Sequence, residues 1–259
     1  MINKYSFKVI PRGRLAETVE NHIRKLILQG DIKPGDKLPT EEEIGKQFGV
    51  SIVTVREAVR GLEVLGLVEK RKGKNGGIFV TEITINPFKD AVGNYLRSKN
   101  LTSADIAQLR LIIEPSAIEI ATSQVTVDEI AAIEKNIVIC EERIKRRSPE
   151  LSKKDFWYVE EQNVEFHRLL AEATHNPVVA LTMDYALDIV LNFKKNMLQP
   201  ETRFCIETTA AHRHILGLMR SNQPERARSA MIDHLNQVDG YLAKVEAGRN
   251  APFGAEVPA

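Results

Sequence analysis

The chain has 259 residues, 36 Lys/Arg against 35 Asp/Glu, 43% hydrophobic residues and two cysteines, which suits one large globular domain or two ordinary ones. No apolar run is long enough to span a bilayer, which excludes an integral helical membrane protein, and Cys140 and Cys205 are too few for a disulfide scaffold. Charge is uneven along the chain: residues 1–82 hold 15 Lys/Arg against 11 Asp/Glu (net +4) and the remainder 21 against 24 (net −3), so the front part is the one suited to a polyanion.

"RLAETVENHIRKLILQG" reads as a first helix, with Leu15, Val19, Ile23, Leu26 and Ile27 on one stripe and Gly30 as its stop. After the Pro-Gly turn of "IKPGDKLPT", Thr40 opens a second helix, and Glu43 completes a capping-box pattern with Ile44 facing inward. Gly49 breaks that helix and Ser51 is placed to cap the next one, a helix-turn-helix arrangement. On a helical projection of residues 51–62, Val55, Ala58, Val59 and Leu62 form a core stripe. Arg56, Glu57, Arg60 and Val53 share the opposite side, with Ile52 on the border. Such a helix can place its N-terminal end in a major groove; the alternative is a solvated face with a partly exposed valine. "VEKR" and "GIFVT", separated by "KGKNG", read as a β-hairpin with a basic tip.

From about residue 87 the pattern is helical throughout. Helices are predicted to begin near Pro87, Thr102, Thr126, Lys154, Pro177, Thr202 and Pro224, and Pro115 is predicted to kink the second of these. The fold class is therefore mainly α: a winged helix-turn-helix followed by an all-α bundle of six or seven helices. The expected organisation is a DNA-binding domain over 1–82, a hinge over 81–90, a helical domain over 87–247 and a disordered tail over 248–259. "MINKYSFKVI" lacks the basic segment and long apolar core of an export signal, so a cytoplasmic protein is expected.

Residues 12–80, through "GDIKPGDKLPTEEEIGKQFGVSIVTVREAVRGLEVLGLVEKRKGKNGGIFV", resemble the winged helix-turn-helix of the GntR family of bacterial transcription regulators. The resemblance implies that Arg56 contacts DNA, that Ser51 and Thr54 approach phosphates, and that Gly73 and Gly76 form the wing tip. Thr40 and Arg60 complete the DNA-facing set. Lys72 and Lys74 are expected to serve phosphates or the minor groove. Two positions where the family often has arginine carry Glu42 and Ile52. Loss of those cations predicts a more A/T-leaning operator, read partly through thymine methyls by Ile52 and Val53.

In "NVEFH", Asn163 and His167 are four apart on one helical face, and His212 and His234 lie on later helices. Three imidazoles and an amide oxygen can meet in a bundle core as a metal site; the alternative is hydrogen-bonded core or surface histidines, to which His175 and His214 are assigned. Residues 87–245, through "LRLIIEPSAIEIA", "VEFHRLLAEATHNP" and "HRHILGLMRSNQPERARSAMIDHL", resemble the FCD ligand-binding domain of the FadR subfamily of GntR regulators. The resemblance implies a divalent metal (zinc, nickel or manganese) beside a small organic-acid effector. His167, His212 and His234 match the three histidine ligands, and Asn163 stands where an aspartate is usual. The amide makes a poorer oxygen donor and leaves the metal with more of its charge. Arg110 matches an arginine that pairs with effector carboxylate; its alternative is a surface arginine bridging to Glu114.

The expected function is a homodimeric, metabolite-responsive repressor on palindromic operator DNA, with no membrane partner. Two rivals are a metal-dependent enzyme using the three histidines and an effector-independent architectural DNA binder. Against an enzyme, Glu165 is two residues from His167 and points elsewhere, and Glu160 lies a turn farther. No Ser-His-Asp order, Walker motif or dinucleotide fingerprint occurs.

Overall fold

The computed structural model describes residues 12–247 apart from 74, 85, 98, 100, 101 and 148; Lys74 and the tail over 248–259 lie outside the described residues. Among the described residues there are ten helices and one two-stranded sheet, and the chain divides into two compact units, residues 1–95 and 96–259.

In the first unit α1 (Arg12–Leu28) buries Ala16, Val19, Ile23 and Ile27, while Leu15 stays 45% exposed. Val19, Ile23 and Ile27 are buried as the sequence suggested, but Leu15 falls at the edge of their face and Ala16 takes its place at the centre. Gly30 closes the helix at φ 79. Thr40 and Glu43 form the reciprocal capping box that starts α2 (Glu41–Phe48), and Gly49 ends it in the left-handed region at φ 67. Ser51 caps α3 (Ile52–Val64) by accepting from the Thr54 amide at 3.2 Å. Val55, Ala58, Val59 and Leu62 are fully buried, against α1, Leu38 and the inward residues of a hairpin, β1 (Val68–Arg71) and β2 (Gly77–Val80). The strands are antiparallel with Val68 opposite Val80 and Arg71 opposite Gly77.

Seven helices follow: α4 (Asn86–Arg97), α5 (Ser103–Gln124), α6 (Val127–Arg147), α7 (Lys153–Glu172), α8 (Pro177–Met197), α9 (Thr202–Arg220) and α10 (Pro224–Ala247). Their starts follow local chemistry. Thr102 with Asp105 and Thr126 with Glu129 form capping boxes, and Asn176 accepts from two amides ahead of Pro177 in the first turn of α8. α5 remains one helix across Pro115. α7 packs against α5, α6, α8 and α9, and α10 packs against α5, α8 and α9. Ile118, Ile137, Phe166, Ile215, Met231 and Leu235 form the apolar core between them. Polar side chains on the inner faces of α5, α7, α9 and α10 are thereby brought together on one side of this core.

Candidate functional site

The outer face of α3 carries Ile52 and Val53 exposed at its N-terminal end, followed by exposed Arg56, Glu57 and Arg60. Arg56 is held from behind: its Nε lies 2.6 Å from Oε2 of Glu41, whose other oxygen accepts from Lys70 Nζ at 3.1 Å. One carboxylate thus ties α2, α3 and β1 together, and its bond at Nε leaves the terminal guanidinium nitrogens for an outside partner. Ser51 is exposed, but its hydroxyl lies 2.9 Å from that of Thr54. Thr54 is itself buried, so the α3 cap uses this hydroxyl and does not present it outward. Thr40 is exposed with its hydroxyl bonded to Glu43, and Glu42 pairs with Lys46. At the wing, Gly73 has φ 104, and a Cβ on Gly76 would meet the Arg71 carbonyl oxygen at 2.4 Å, so the tight tip requires glycine at both places. Lys72 is exposed beside it.

In the second unit, His167 (α7), His212 (α9) and His234 (α10) are all buried and present ligand atoms within 4.8 Å of one another. Nε2 of His234 is 3.2 Å from Nε2 of His212 and 3.4 Å from Nε2 of His167. Phe166 stacks on the His212 ring, with centroids 3.9 Å apart, and fixes its plane. Burial holds the His167 imidazole below its usual range despite the pull of Glu114. Burial, reinforced by the neighbouring imidazoles, carries His212 and His234 well below it. Three neutral rings therefore direct nitrogens at one point. The edge of a zinc tetrahedron with Zn–N distances of 2.0–2.1 Å is about 3.3 Å, so the spacing fits a divalent ion.

Arg110 and Glu114, one turn apart on α5, are both buried, with Nε 2.5 Å from Oε1. The bridge to Glu114 is the one the alternative sequence reading named, but it lies inside the bundle and not at the surface, and the Arg110 NH2 reaches within 3.3 Å of His167 Nε2. Oε2 of Glu114 lies 2.6 Å from His167 Nδ1. Burial favours the neutral acid, but the adjacent Arg110 charge holds the Glu114 carboxyl far below the usual carboxylate range.

Residues 105–237 match the FCD domain family, and residues 15–80 match the gntR family of bacterial regulatory proteins. The chain belongs to the GntR family, in the FadR-type pairing with an FCD domain. Among its relatives, an uncharacterized HTH-type transcriptional regulator, YcbG of Bacillus subtilis, is 28% identical over 91% of this chain and 93% of its own length. The HTH-type transcriptional repressor NanR of Klebsiella aerogenes is 25% identical over 91% of this chain and 88% of its own. A GntR protein of Streptococcus agalactiae shares the fold, with a TM-score of 0.66 and 24% identity over 87% of this chain and 99% of its own. The chain is a DNA-binding transcription regulator, and its relatives are regulators rather than enzymes.

Within the FCD domain, Asn163 is buried one turn from His167, yet its contacts run the other way. Its Nδ2 donates to Glu160 Oε1 at 2.8 Å, and Cys140 Sγ stands 3.9 Å from its Oδ1. Glu160 in turn accepts from Lys194 Nζ at 2.8 Å, an ion pair with almost no exposure. Glu114, Glu160 and Lys194 are the site residues that sequence reasoning did not assign. One signal was available: Glu160 falls on the inward side of α7 with Phe156, Asn163 and His167, and Lys194 directly follows the buried Phe193 on α8. His175 and His214 stay outside the cluster, both exposed, His175 paired with Glu129.

Proposed function

We propose that this GntR regulator is a cytoplasmic, homodimeric repressor that releases a palindromic operator when its FCD domain takes up a small organic acid. The proposed division is residues 1–82 for DNA and 87–247 for sensing and dimerisation. One winged module spans half an operator, so a two-fold dimer accounts for tight specific binding. A relative named as a repressor, NanR, supports the sign of regulation.

The observation that carries the sensing half is the convergence of three buried Nε2 atoms at 3.2 and 3.4 Å. Lone pairs this close favour a shared cation. His167, His212 and His234 would hold a zinc, nickel or manganese ion, which when bound supplies a Lewis-acidic anchor for a carboxylate. This chain's own groups do the remaining work. The Glu114 carboxylate, 2.6 Å from His167 Nδ1, favours a proton on that nitrogen, and Arg110 offers a guanidinium beside the same imidazole. Asn163 adds no negative charge. At the DNA end, Arg56 and Arg60 with Ile52 and Val53 read the major groove, Ser51 and Thr40 approach the backbone, and Lys72, Lys74, Gly73 and Gly76 form the wing contact.

The reading is tested by metal analysis of protein purified without added metal or chelator, beside its His234→Ala variant. A stoichiometric ion in the parent that is lost in the variant is expected. A metal-free parent that cannot be loaded would overturn the metal-dependent sensing.

A further inference from the structure

The buried polar set contains more charge than a three-histidine centre requires. Lys194 is 4% exposed, and among the described residues its one hydrogen-bonded partner is Glu160 Oε2 at 2.8 Å. An ammonium has three donors, and among the described residues the bond to Glu160 engages one of them; the Phe204 ring lies 5.5 Å away at its centroid. Oγ1 of Thr209, 3% exposed and one turn before His212 on α9, has no partner. An orphaned buried hydroxyl of this kind calls for a ligand or water.

This pair adjoins the histidines. Glu160, Asn163 and His167 occupy successive turns of the inner face of α7, and Cys205 Sγ, one turn before Thr209, touches Glu160 at 3.6 Å. Beside His167, on α5, stands Arg110 with Glu114. A buried ion pair is often no more stable than apolar residues of the same volume, so folding alone gives little reason to keep two of them around one centre.

Glu160 also accounts for the amide at position 163. A carboxylate there would stand 2.8 Å from another carboxylate with no exposure, whereas Asn163 donates a hydrogen bond. The charge balance points the same way. Arg110 and Lys194 are matched by Glu114 and Glu160, the imidazoles and Asn163 are neutral, and Asp239 on α10, half-buried with its Oδ2 unpartnered, is a further carboxyl near Arg110 and Lys194. A divalent ion therefore leaves the set positive, which favours an anion.

We propose that Lys194 is a second anion-recognition residue and that the effector is a dicarboxylate, anchored at one end by the metal and Arg110 and at the other by the remaining donors of Lys194. The inference rests on the metal-dependent sensing proposed above. The test is calorimetric titration of the zinc-loaded full-length protein with propionate and with succinate, which adds a carboxylate at the far end. Succinate is expected to bind at least about ten-fold more tightly. In Lys194→Met/Glu160→Gln, which keeps the interior neutral, that preference should fall to less than about two-fold with zinc retained. Glu160→Gln alone removes the competitor for Lys194 and should tighten succinate. Equal binding of the two acids by the parent, a preference that survives the double variant, or unchanged succinate affinity in Glu160→Gln would each overturn the assignment while leaving the sensing reading standing. A parent that holds zinc but binds neither acid, or holds no zinc, would remove both.

Discussion

Oε2 of Glu114 lies 2.6 Å from Nδ1 of His167, while the other ring nitrogen, Nε2, faces His234. With the proton on Nδ1, Nε2 keeps its lone pair toward His234, 3.4 Å away. Groups that orient a metal-binding imidazole typically matter by about 10–100-fold in metal affinity. Glu114→Gln is therefore predicted to weaken zinc by that range, measured by competition with a chromophoric chelator. Wild-type affinity in the variant would mean that the carboxylate does not position the ring.

Removing the ion should also destabilise the FCD domain, because a site formed only in the folded state links binding to folding. An ion at about a hundred times its dissociation constant adds about 2.7 kcal/mol, or about 5–10 °C in Tm for a domain of this size. Chelation is predicted to lower the upper melting transition by that amount in the parent and not in His234→Ala. A shift of equal size in both would assign the effect to something other than this centre.

In the DNA-binding unit, Glu41 is the positioning residue for Arg56. Burial would raise its carboxyl, but Arg56 and Lys70 hold it below the ordinary 4.5. A carboxyl lowered on folding contributes stability above its unfolded value and loses it as pH falls through the folded value. Glu41→Gln should thus cost about 1 kcal/mol or less at pH 7, since Arg56 is largely exposed. The difference should disappear as pH falls through the range in which the parent's carboxyl is protonated, as read by urea unfolding over a series of pH values downward from 7. Arg56→Ala should cost about 1–3 kcal/mol of operator binding and relax specificity at one base pair, whereas Lys72→Ala should lower the salt slope by about one with no change in sequence preference.

Ile52 and Val53, exposed at the leading end of α3, predict readout of thymine methyl groups. Substituting uracil for thymine in a selected operator removes those methyls and keeps every hydrogen-bonding edge. Affinity should fall by up to about 0.8 kcal/mol for each contacted position, as for a buried methylene. An undiminished affinity, or a strict guanine opposite residue 52, would contradict this.

Much of the architecture was legible because its signals are local. Thr40 with Glu43, Gly49 and Ser51 fix the helix-turn-helix by capping chemistry alone, and Thr102, Thr126 and Pro177 mark helix starts in the same way. The three histidines were legible as a set by their residue type. The charged residues around them were not, because periodicity assigns Arg, Lys and Glu to the outer face by default. The inward side of α7 hinted at burial for Glu160, but its pairing with Lys194 on α8, 34 positions away, is a contact that no local pattern encodes. Asn163 illustrates the same limit. Its spacing from His167 places it on the right face, but its amide nitrogen is bonded to Glu160.

The linkage between the two halves is tested most directly by operator binding measured by fluorescence anisotropy at fixed salt, with zinc-loaded protein and with or without a dicarboxylate such as succinate. Coupling of 1–3 kcal/mol predicts an affinity lowered by about 5–150-fold when the acid is present. Superimposable binding curves for an acid already shown by calorimetry to occupy the protein would contradict a repressor released by its effector.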